Sequence, residues 1–359
     1  MRIVTLIFYF MVLGLASARA DSVQTAVTTG NPAGTYFRFG HDIADLAAHF
    51  GIQVEVQPSA GSLENIEAML HRHGTQLGIV QSDVLDFIAS FSEDQELRST
   101  ATLMRMVFPL YAEEVHLLAR PEIVKLANLA GKRVAIGAAN SGTLVTATLL
   151  LETAGVDPAE ERRIDTDEAL EALRDGQVDA MFYVAGRPAK LFQKVTAADG
   201  LHFVPITEPA VRELYPAASI TSGTYAWQKE EVPTVAVRAV LMTYDWSKPT
   251  RYQRGACDVV GKVARIVADN LEHLRQSDVG HSKWRDVDLK ANLVNWKPSS
   301  CAEEGLNGPV SYVLPLQSTD CGDETSAIRR KLCEVKERMR QERHQPAASL
   351  QSGSSAKLM

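Results

Sequence analysis

The chain of 359 residues lacks the short motifs that mark the common enzyme classes. It contains no G-x-S-x-G nucleophile elbow, no H-E-x-x-H zinc pair and no C-x-x-C motif. It also lacks a basic stripe through its body, and the formal net charge is -7. Because nucleic-acid binding needs clustered cations, we predict no nucleic-acid partner. The absent motifs favour a binding protein over an enzyme.

Long apolar runs are missing beyond the N-terminus. An apolar stretch over residues 3–15 follows Arg2 and is shorter than the roughly 20 residues of a membrane-spanning helix. The next residues, Ala18-Arg19-Ala20, have the A-x-A pattern of a cleavage site. We therefore predict a signal peptide over residues 1–20 and a periplasmic location, with a retained membrane anchor as the alternative.

Cysteine is absent before position 257. The four cysteines are Cys257, Cys301, Cys321 and Cys333. Export to an oxidising compartment permits disulfides, and four cysteines allow three pairings that the sequence does not separate.

One supersecondary unit repeats from residue 24 to residue 201. Each unit has a short β-branched run, a turn rich in Gly, Ser or Asn, and a helical pattern. This alternation predicts an α/β fold with a mainly parallel sheet. Two sets of such units predict two lobes joined by a hinge, with a ligand cleft between them.

The predicted boundaries follow from these sets. Lobe 1 covers residues 21–110 and lobe 2 covers residues 111–206. Residues 207–290 return to lobe 1 through hinge-spanning helices, of which Thr234 to Asp245 and Thr250 to Arg275 have helical patterns. A Cys-containing extension covers residues 291–340 and a disordered tail covers residues 341–359. An apolar stripe among basic residues in the extension indicates either a helix packed on the body or a docking face for a membrane or permease.

Three turns place small polar residues at the start of a predicted helix: Gly30 to Tyr36, Gly61-Ser62 and Ser141-Gly142-Thr143. The first turn of a helix has unpaired N–H groups and a partial positive charge, which suit a carboxylate or a phosphate. Simple helix capping is the alternative for each turn.

The Gly137 to Thr143 segment has the glycine spacing of a P-loop, but Thr143 stands where the lysine belongs, which argues against a nucleotide.

Candidate metal ligands have simpler interpretations. His71 and His73 are predicted as solvated histidines, and His116 as a satisfied core residue. Acidic residues near position 166 fit a charged first helical turn. We therefore predict no metal and no cofactor.

Several ordered motifs match a known family. They include Gly34-Thr35-Tyr36, Pro58 to Asn65, Leu77 to Asp83, Gly137 to Thr143 and Phe182 to Gly186. Over residues 23–252 the chain resembles the TAXI family, the TRAP-associated extracytoplasmic solute receptors.

This resemblance implies a type II periplasmic binding-protein fold that captures a glutamate-like amino acid or a dicarboxylate and delivers it to a TRAP permease. A sensory subunit of a membrane kinase is the alternative. One carboxylate would bind at the Ser141-Gly142-Thr143 helix start, and a second would need a cation, for which Arg187 and Arg38 are candidates. The implied ligand contacts are Gly34, Tyr36, Gly61, Ser62, Gln81, Ser82, Ser141, Gly142, Thr143, Phe182, Tyr183 and Gly186.

Overall fold

A computed structural model describes residues 23–276, 280–293, 295–314 and Lys331. The chain divides into two compact units, Met1–Val313 and Leu314–Met359. In the second unit only Leu314 and Lys331 are described. The predicted signal peptide, the apolar stripe of the extension, Cys321, Cys333 and the predicted tail therefore lie outside the described residues.

The elements of the first unit alternate between strand and helix over most of its length. The strands are β1 (Val23–Thr28), β2 (Ile52–Gln57), β3 (Thr75–Gln81), β4 (Met104–Ala119), β5 (Arg133–Ala135), β6 (Glu160–Arg162), β7 (Ala180–Ala185), β8 (His202–Phe203), β9 (Ala217–Ile220) and β10 (Val232–Tyr244). The helices are α1 (Thr35–Ala48), α2 (Ser62–His71), α3 (Val84–Phe91), α4 (Gln95–Ala101), α5 (Gly142–Ala154), α6 (Thr166–Arg174), α7 (Pro209–Leu214), α8 (Arg251–Asp269), α9 (Leu271–Gln276) and α10 (Ser300–Asn307). Among the described residues, none of these helices is long and apolar enough to cross a membrane.

Strand pairing separates two α/β lobes. In lobe 1, β1 pairs in parallel with β2 and β3, and β3 pairs with the C-terminal part of β10. In lobe 2, β5 pairs in parallel with β6 and β7, and β7 pairs with the C-terminal part of β4. Each lobe therefore has its own parallel strand group with helices packed on it, which confirms the predicted α/β fold.

Two long strands connect the lobes. The 16 residues of β4 and the 13 residues of β10 run antiparallel and pair with each other on both sides of the crossing. Ala236 lies opposite Glu114, and Arg238 lies opposite Ala112. Because β4 and β10 also pair antiparallel with β7 and β3, the sheet is mixed and not mainly parallel as predicted. The crossing is the connection that the two-lobed prediction required.

One prediction for this region is wrong. The segment Thr234 to Asp245, predicted as a helix, lies almost wholly in strand β10. Its valines and threonines favour a strand, and both faces of a strand inside a sheet are covered, which removes the alternation that would have identified it. The long helix predicted from Thr250 to Arg275 is interrupted at Asn270, where α8 ends and α9 follows.

The hydrophobic core is continuous between the lobes. Val84 and Ile88 of α3 belong to the same buried cluster as Val145 and Leu150 of α5. A separate cluster lies within lobe 2 around Phe192. The lobes are therefore packed against each other in this structure.

A disulfide joins α8 and α10. Cys257 and Cys301 are bonded, with their Cα atoms 5.0 Å apart, which selects one partner for Cys257 from the three that the sequence allowed. The two helices approach closely where Gly261 of α8 lies against Gly305 of α10. A Cβ atom at Gly261 would lie 2.7 Å from the carbonyl oxygen of Cys301, whereas a Cβ atom at Gly255 would meet nothing within 4 Å.

Gly261 and Gly255, both on α8, give a matched test of the contact between α8 and α10. We expect Gly261→Ala to lower the free energy of unfolding by about 1–3 kcal/mol, because the added methyl group overlaps backbone. We expect Gly255→Ala, on the same helix, to raise it by about 0.5–1 kcal/mol through helix propensity. Urea unfolding of both variants measures the difference. Equal effects of the two substitutions would contradict the close packing of α8 on α10.

Candidate functional site

A cavity lies between the lobes beside their crossing strands. The region of the cavity that the centre of a water molecule can occupy has a volume of about 80 Å³. The lining residues come from both lobes and are Gly30, Asn31, Gly34, Thr35, Tyr36, Ala60, Gly61, Gln81, Glu113, Ser141, Gly142, Thr143, Thr166, Tyr183, Val184 and Ala185. This is the cleft that the two-lobed fold predicts.

Most of the residues predicted to contact a ligand line this cavity. They are Gly34, Tyr36, Gly61, Gln81, Ser141, Gly142, Thr143 and Tyr183. They come from α1, the turn before α2, the end of β3, the start of α5 and β7. The structure thus brings together turns that are distant in sequence, and their roles as ligand contacts remain predictions.

Four predicted residues are not among the lining residues. Ser62 is fully buried, and its Oγ accepts a hydrogen bond from the backbone N–H of Gln81 at 3.0 Å. Ser82 pairs with Arg238 of β10, whose backbone N–H donates to the Ser82 Oγ at 3.2 Å. Phe182 is part of the buried core. Gly186 is packed so closely that an added Cβ atom would lie 3.0 Å from the Tyr111 ring. Each of the four supports the structure around the cavity.

Helix α5 begins at the cavity with free backbone donors. Ser141 caps the helix, its Oγ accepting a hydrogen bond from the Leu144 N–H at 3.1 Å. The N–H groups of Gly142 and Thr143 donate to no group among the described residues, and both residues line the cavity. Free donors of this kind, together with the helix dipole, have the chemistry that suits an anionic group.

Helix α2 is different, because the other lobe already occupies its start. The N–H groups of Leu63 and Glu64 lie 3.1 and 3.4 Å from the carbonyl oxygen of Asn140 and donate to it. Asn140 has a φ of 65°, which points its carbonyl across the cleft. A Cβ atom at Gly61 would lie 3.1 Å from the Gly142 nitrogen, so glycine allows this approach. The second predicted helix-start site therefore serves contact between the lobes.

A second contact between the lobes is made by side chains. Asp83, just after β3, accepts hydrogen bonds on Oδ2 from Thr146 Oγ1 at 2.8 Å and from the Tyr215 hydroxyl at 3.0 Å. Burial raises the pKa of Asp83 to about 6. These contacts and those of Asn140 hold the lobes in a closed arrangement.

Glu113 is the residue of the cavity that the sequence did not indicate as a ligand contact. Its side chain is only 2% exposed, and its Oε2 accepts a hydrogen bond from the Tyr36 hydroxyl at 2.6 Å. Its Oε1 has no hydrogen-bond partner within the described ranges. Burial raises the pKa of Glu113 to about 8, and the charges of Asp83 and Glu114 act in the same direction.

The neighbouring acid, Glu114, has its own cations. Lys283 Nζ lies 2.8 Å from Glu114 Oε1, and Arg187 Nε lies 2.9 Å from the same oxygen. These partners and their hydrogen bonds lower the pKa of Glu114 against the effect of its burial. Arg187 is therefore committed to Glu114 and does not line the cavity, contrary to the role proposed for it from sequence. Arg38, the other candidate, is not a lining residue either.

The sequence contains one signal that singles out Glu113, although it does not show what the side chain meets. Glu113 and Glu114 are adjacent acids within an apolar run, and successive side chains of a strand point to opposite faces. Glu113 and Glu114 therefore lie on opposite faces of β4, and the cations that bind Glu114 are not on the same face as Glu113. The sequence does not reveal which face is the cavity, and that is why the residue was missed.

The other titratable candidates have the predicted structural roles. His116 is fully buried between the Glu114 carbonyl and the Tyr225 hydroxyl, and burial lowers its pKa to about 4. Asp165 caps α6 by accepting a hydrogen bond from the Thr166 N–H at 2.6 Å. Within the described part of the chain, no group of His, Cys, Asp and Glu could hold a metal ion.

The crossed lobes and the enclosed cavity define a ligand-binding domain of the solute-binding type, with a type II periplasmic binding-protein fold. The sequence model of the NMT1-like family matches residues 27–291. The chain belongs to this family.

Solved structures of low sequence identity are similar to this one. Tv2483 bound to L-arginine is 14% identical with a TM-score of 0.47, over 76% of this chain and 95% of that one. A protein of Bordetella bronchiseptica RB50 is 11% identical with a TM-score of 0.49, over 88% and 98%. A structure from work on glutathione import via GshT and the cystine ABC importer TcyBC of Streptococcus mutans is 11% identical with a TM-score of 0.44, over 75% and 98%. The fold assignment here rests on the strand pairing and the family match.

Glu113 should make the stability of the empty protein depend on pH. An unfolded glutamate loses its proton near its ordinary pKa of 4.5, whereas folded Glu113 keeps it until about pH 8. From about pH 5 to about pH 8, the free energy of unfolding should therefore fall by up to about 1.4 kcal/mol per pH unit relative to Glu113→Gln. Below the unfolded pKa the difference should be constant, because both states are protonated. Urea unfolding across this range measures it.

Glutamine is a close substitute for the protonated acid and can still accept the Tyr36 hydrogen bond. The control is Glu122→Gln, which removes an exposed carboxylate of the same formal charge. Parallel pH profiles of the wild type and Glu113→Gln would show that Glu113 has an ordinary pKa.

Proposed function

We propose that this protein is a periplasmic solute receptor, with no catalytic step, that captures a small carboxylate-bearing molecule and delivers it to a TRAP permease. The observation that carries the proposal is the start of α5, where Gly142 and Thr143 line a cavity between two lobes and their N–H groups donate to no group among the described residues. A carboxylate placed there would accept both hydrogen bonds and would be stabilised by the helix dipole.

The size of the cavity supports a small ligand. One ordered water needs about 10–15 Å³ of the volume that a water centre can occupy. The cavity has about 80 Å³ of it and therefore accommodates on the order of five waters. A molecule the size of an amino acid or a short dicarboxylate matches that space. A nucleotide does not, which agrees with the absence of the P-loop lysine at Thr143.

Closure of the lobes supplies the mechanism. Cavity residues come from both lobes, so a ligand contacts both only when they are together. Ligand therefore adds to the contacts that Asn140 and Asp83 make across the cleft and shifts the population towards the closed state. A permease that recognises the closed surface would receive only loaded receptor.

Location and partner rest on further support. The predicted signal peptide, the disulfide between Cys257 and Cys301 and the solute-binding family favour a protein that works outside the cytoplasm. The ordered motifs shared with TAXI receptors favour a TRAP permease over other transporters. Those motifs include the turns that line the cavity.

Binding of a small carboxylate is the first test. We expect at least one member of a panel of twenty L-amino acids and C4–C6 dicarboxylates to raise the melting temperature, with saturation in calorimetry and no turnover. Gly142→Ala should lose this binding, because the added Cβ would lie 2.3 Å from Gln81 Oε1 inside the cavity. Gly255→Ala, whose Cβ meets no atom, is the control. A folded wild type that responds to no member of the panel would contradict the proposal.

Delivery can be measured separately. Proteoliposomes that contain a TRAP permease should accumulate the radiolabelled ligand found in that panel only when the receptor and an ion gradient are both present. Gly142→Ala receptor should support no accumulation. Uptake that proceeds equally without the receptor would contradict its role in transport.

A further inference from the structure

The cavity holds an acid opposite the free helix start of α5, and Lys, Arg and His are absent from its described lining residues. We propose that Glu113 binds an ammonium group of the solute, so that the receptor selects small zwitterions over dicarboxylates. The inference rests on the proposed function, because it names the ligand class and the specificity-determining residue of the same cavity.

The first argument is that Glu113 lacks a partner of opposite charge. One of its oxygens accepts the Tyr36 hydroxyl, and the other has no hydrogen-bond donor among the described residues although the side chain is only 2% exposed. Ionising a side chain that is this deeply buried is costly unless a cation lies beside it. A cationic ligand group supplies what the protein does not.

The second argument is that the nearby cations are unavailable. Lys283, only 4% exposed, donates to both oxygens of Glu114 and to the carbonyl of Ala112. Arg187 donates to Glu114 and to Thr221. Because strand β4 sends the two acids to opposite faces, these cations neutralise Glu114 and leave Glu113 to the cavity.

The third argument concerns the two ends of the ligand. The start of α5 offers two N–H donors to a carboxylate, and Glu113 lines the same cavity. A zwitterion satisfies both ends at once. A dicarboxylate would place its second negative group near Glu113, and it could bind only if Glu113 stayed protonated and donated a hydrogen bond. The two ligand classes therefore require opposite protonation states of one residue.

The groups that face Glu113 decide its charge in the empty protein. Those on its own side are Tyr36 of α1, Asp83 after β3, Tyr111 of β4 and Tyr183 of β7, while Glu114 of β4 and Lys283 of the 3-10 helix Ser282–Asp286 act through their charge from the other face. Burial is the largest influence and raises the pKa of Glu113 to about 8, while the Tyr36 hydrogen bond and Lys283 act in the opposite direction. At pH 7 most of the molecules therefore hold this proton.

Matched ligand pairs test the proposal. The probes are L-glutamate and glutarate, L-aspartate and succinate, and each remaining L-amino acid with its 2-hydroxy analogue. We expect the best amino acid to bind at least about 30-fold more tightly than its partner without the amine. Calorimetry in buffers of different ionisation enthalpy should show release of a proton on binding at pH 7, and the release should diminish as the pH rises towards 8. Affinity should rise by up to about tenfold per pH unit below pH 8.

The Glu113→Gln variant separates recognition from folding. It should keep the Tyr36 hydrogen bond and unfold cooperatively, at pH 7 at no lower temperature than the wild type, while the preference for the amine and the release of the proton are both lost. Glu122→Gln, at an exposed position, should behave like the wild type in both measurements.

The possible outcomes are distinct. If glutarate, succinate or a 2-hydroxy acid binds as tightly as its amino acid, Glu113 does not bind an ammonium group and the inference is overturned while carboxylate capture stands. If no acid of any class binds the folded wild type, the proposed function fails and the inference fails with it.

Discussion

Two adjacent carboxyl groups lie where β4 passes from one lobe to the other, and the chemistry of the cleft depends on how the strand separates them. Glu114 meets Lys283 and Arg187 on one face. Glu113 lines the cavity and, among the described residues, accepts a hydrogen bond from the Tyr36 hydroxyl alone. An extended strand cannot place neighbouring side chains on the same face, so this division follows from backbone geometry. It leaves one acid neutralised and the other available to a ligand.

The contact between the lobes uses the same type of group as the proposed ligand site, but at a different helix. The start of α2 is occupied by the Asn140 carbonyl, whereas the start of α5 keeps two free N–H groups. Both arrangements require backbones to approach without side chains, and Gly61 and Gly142 provide this. One helix start therefore closes the cleft while the other faces the space that closure encloses.

Much of the local structure could be predicted from the sequence because it depends on short-range patterns. The strand Val23–Thr28 and the helix Ser62–His71 occur within a residue or two of the predicted positions. Gly155 ends α5 in the left-handed conformation that glycine favours. The segment Thr234 to Asp245 was predicted as a helix but lies in the strand Val232–Tyr244, because a strand covered on both faces does not alternate between polar and apolar residues. Its identity depends on pairing with β3 and β4, which are more than a hundred residues away along the chain.

The sequence by itself determined the α/β units, the turns that carry small polar residues and the buried role of His116, because each depends on residues close together in the chain. Only the tertiary structure decided which helix start stays free, that Arg187 serves Glu114, and that Glu113 faces the cavity. The physical reason is that strand register and lobe contact select one partner for each polar group from many that the composition allows. A local pattern can place a donor or an acid on a strand or a turn, but only the fold determines what it meets.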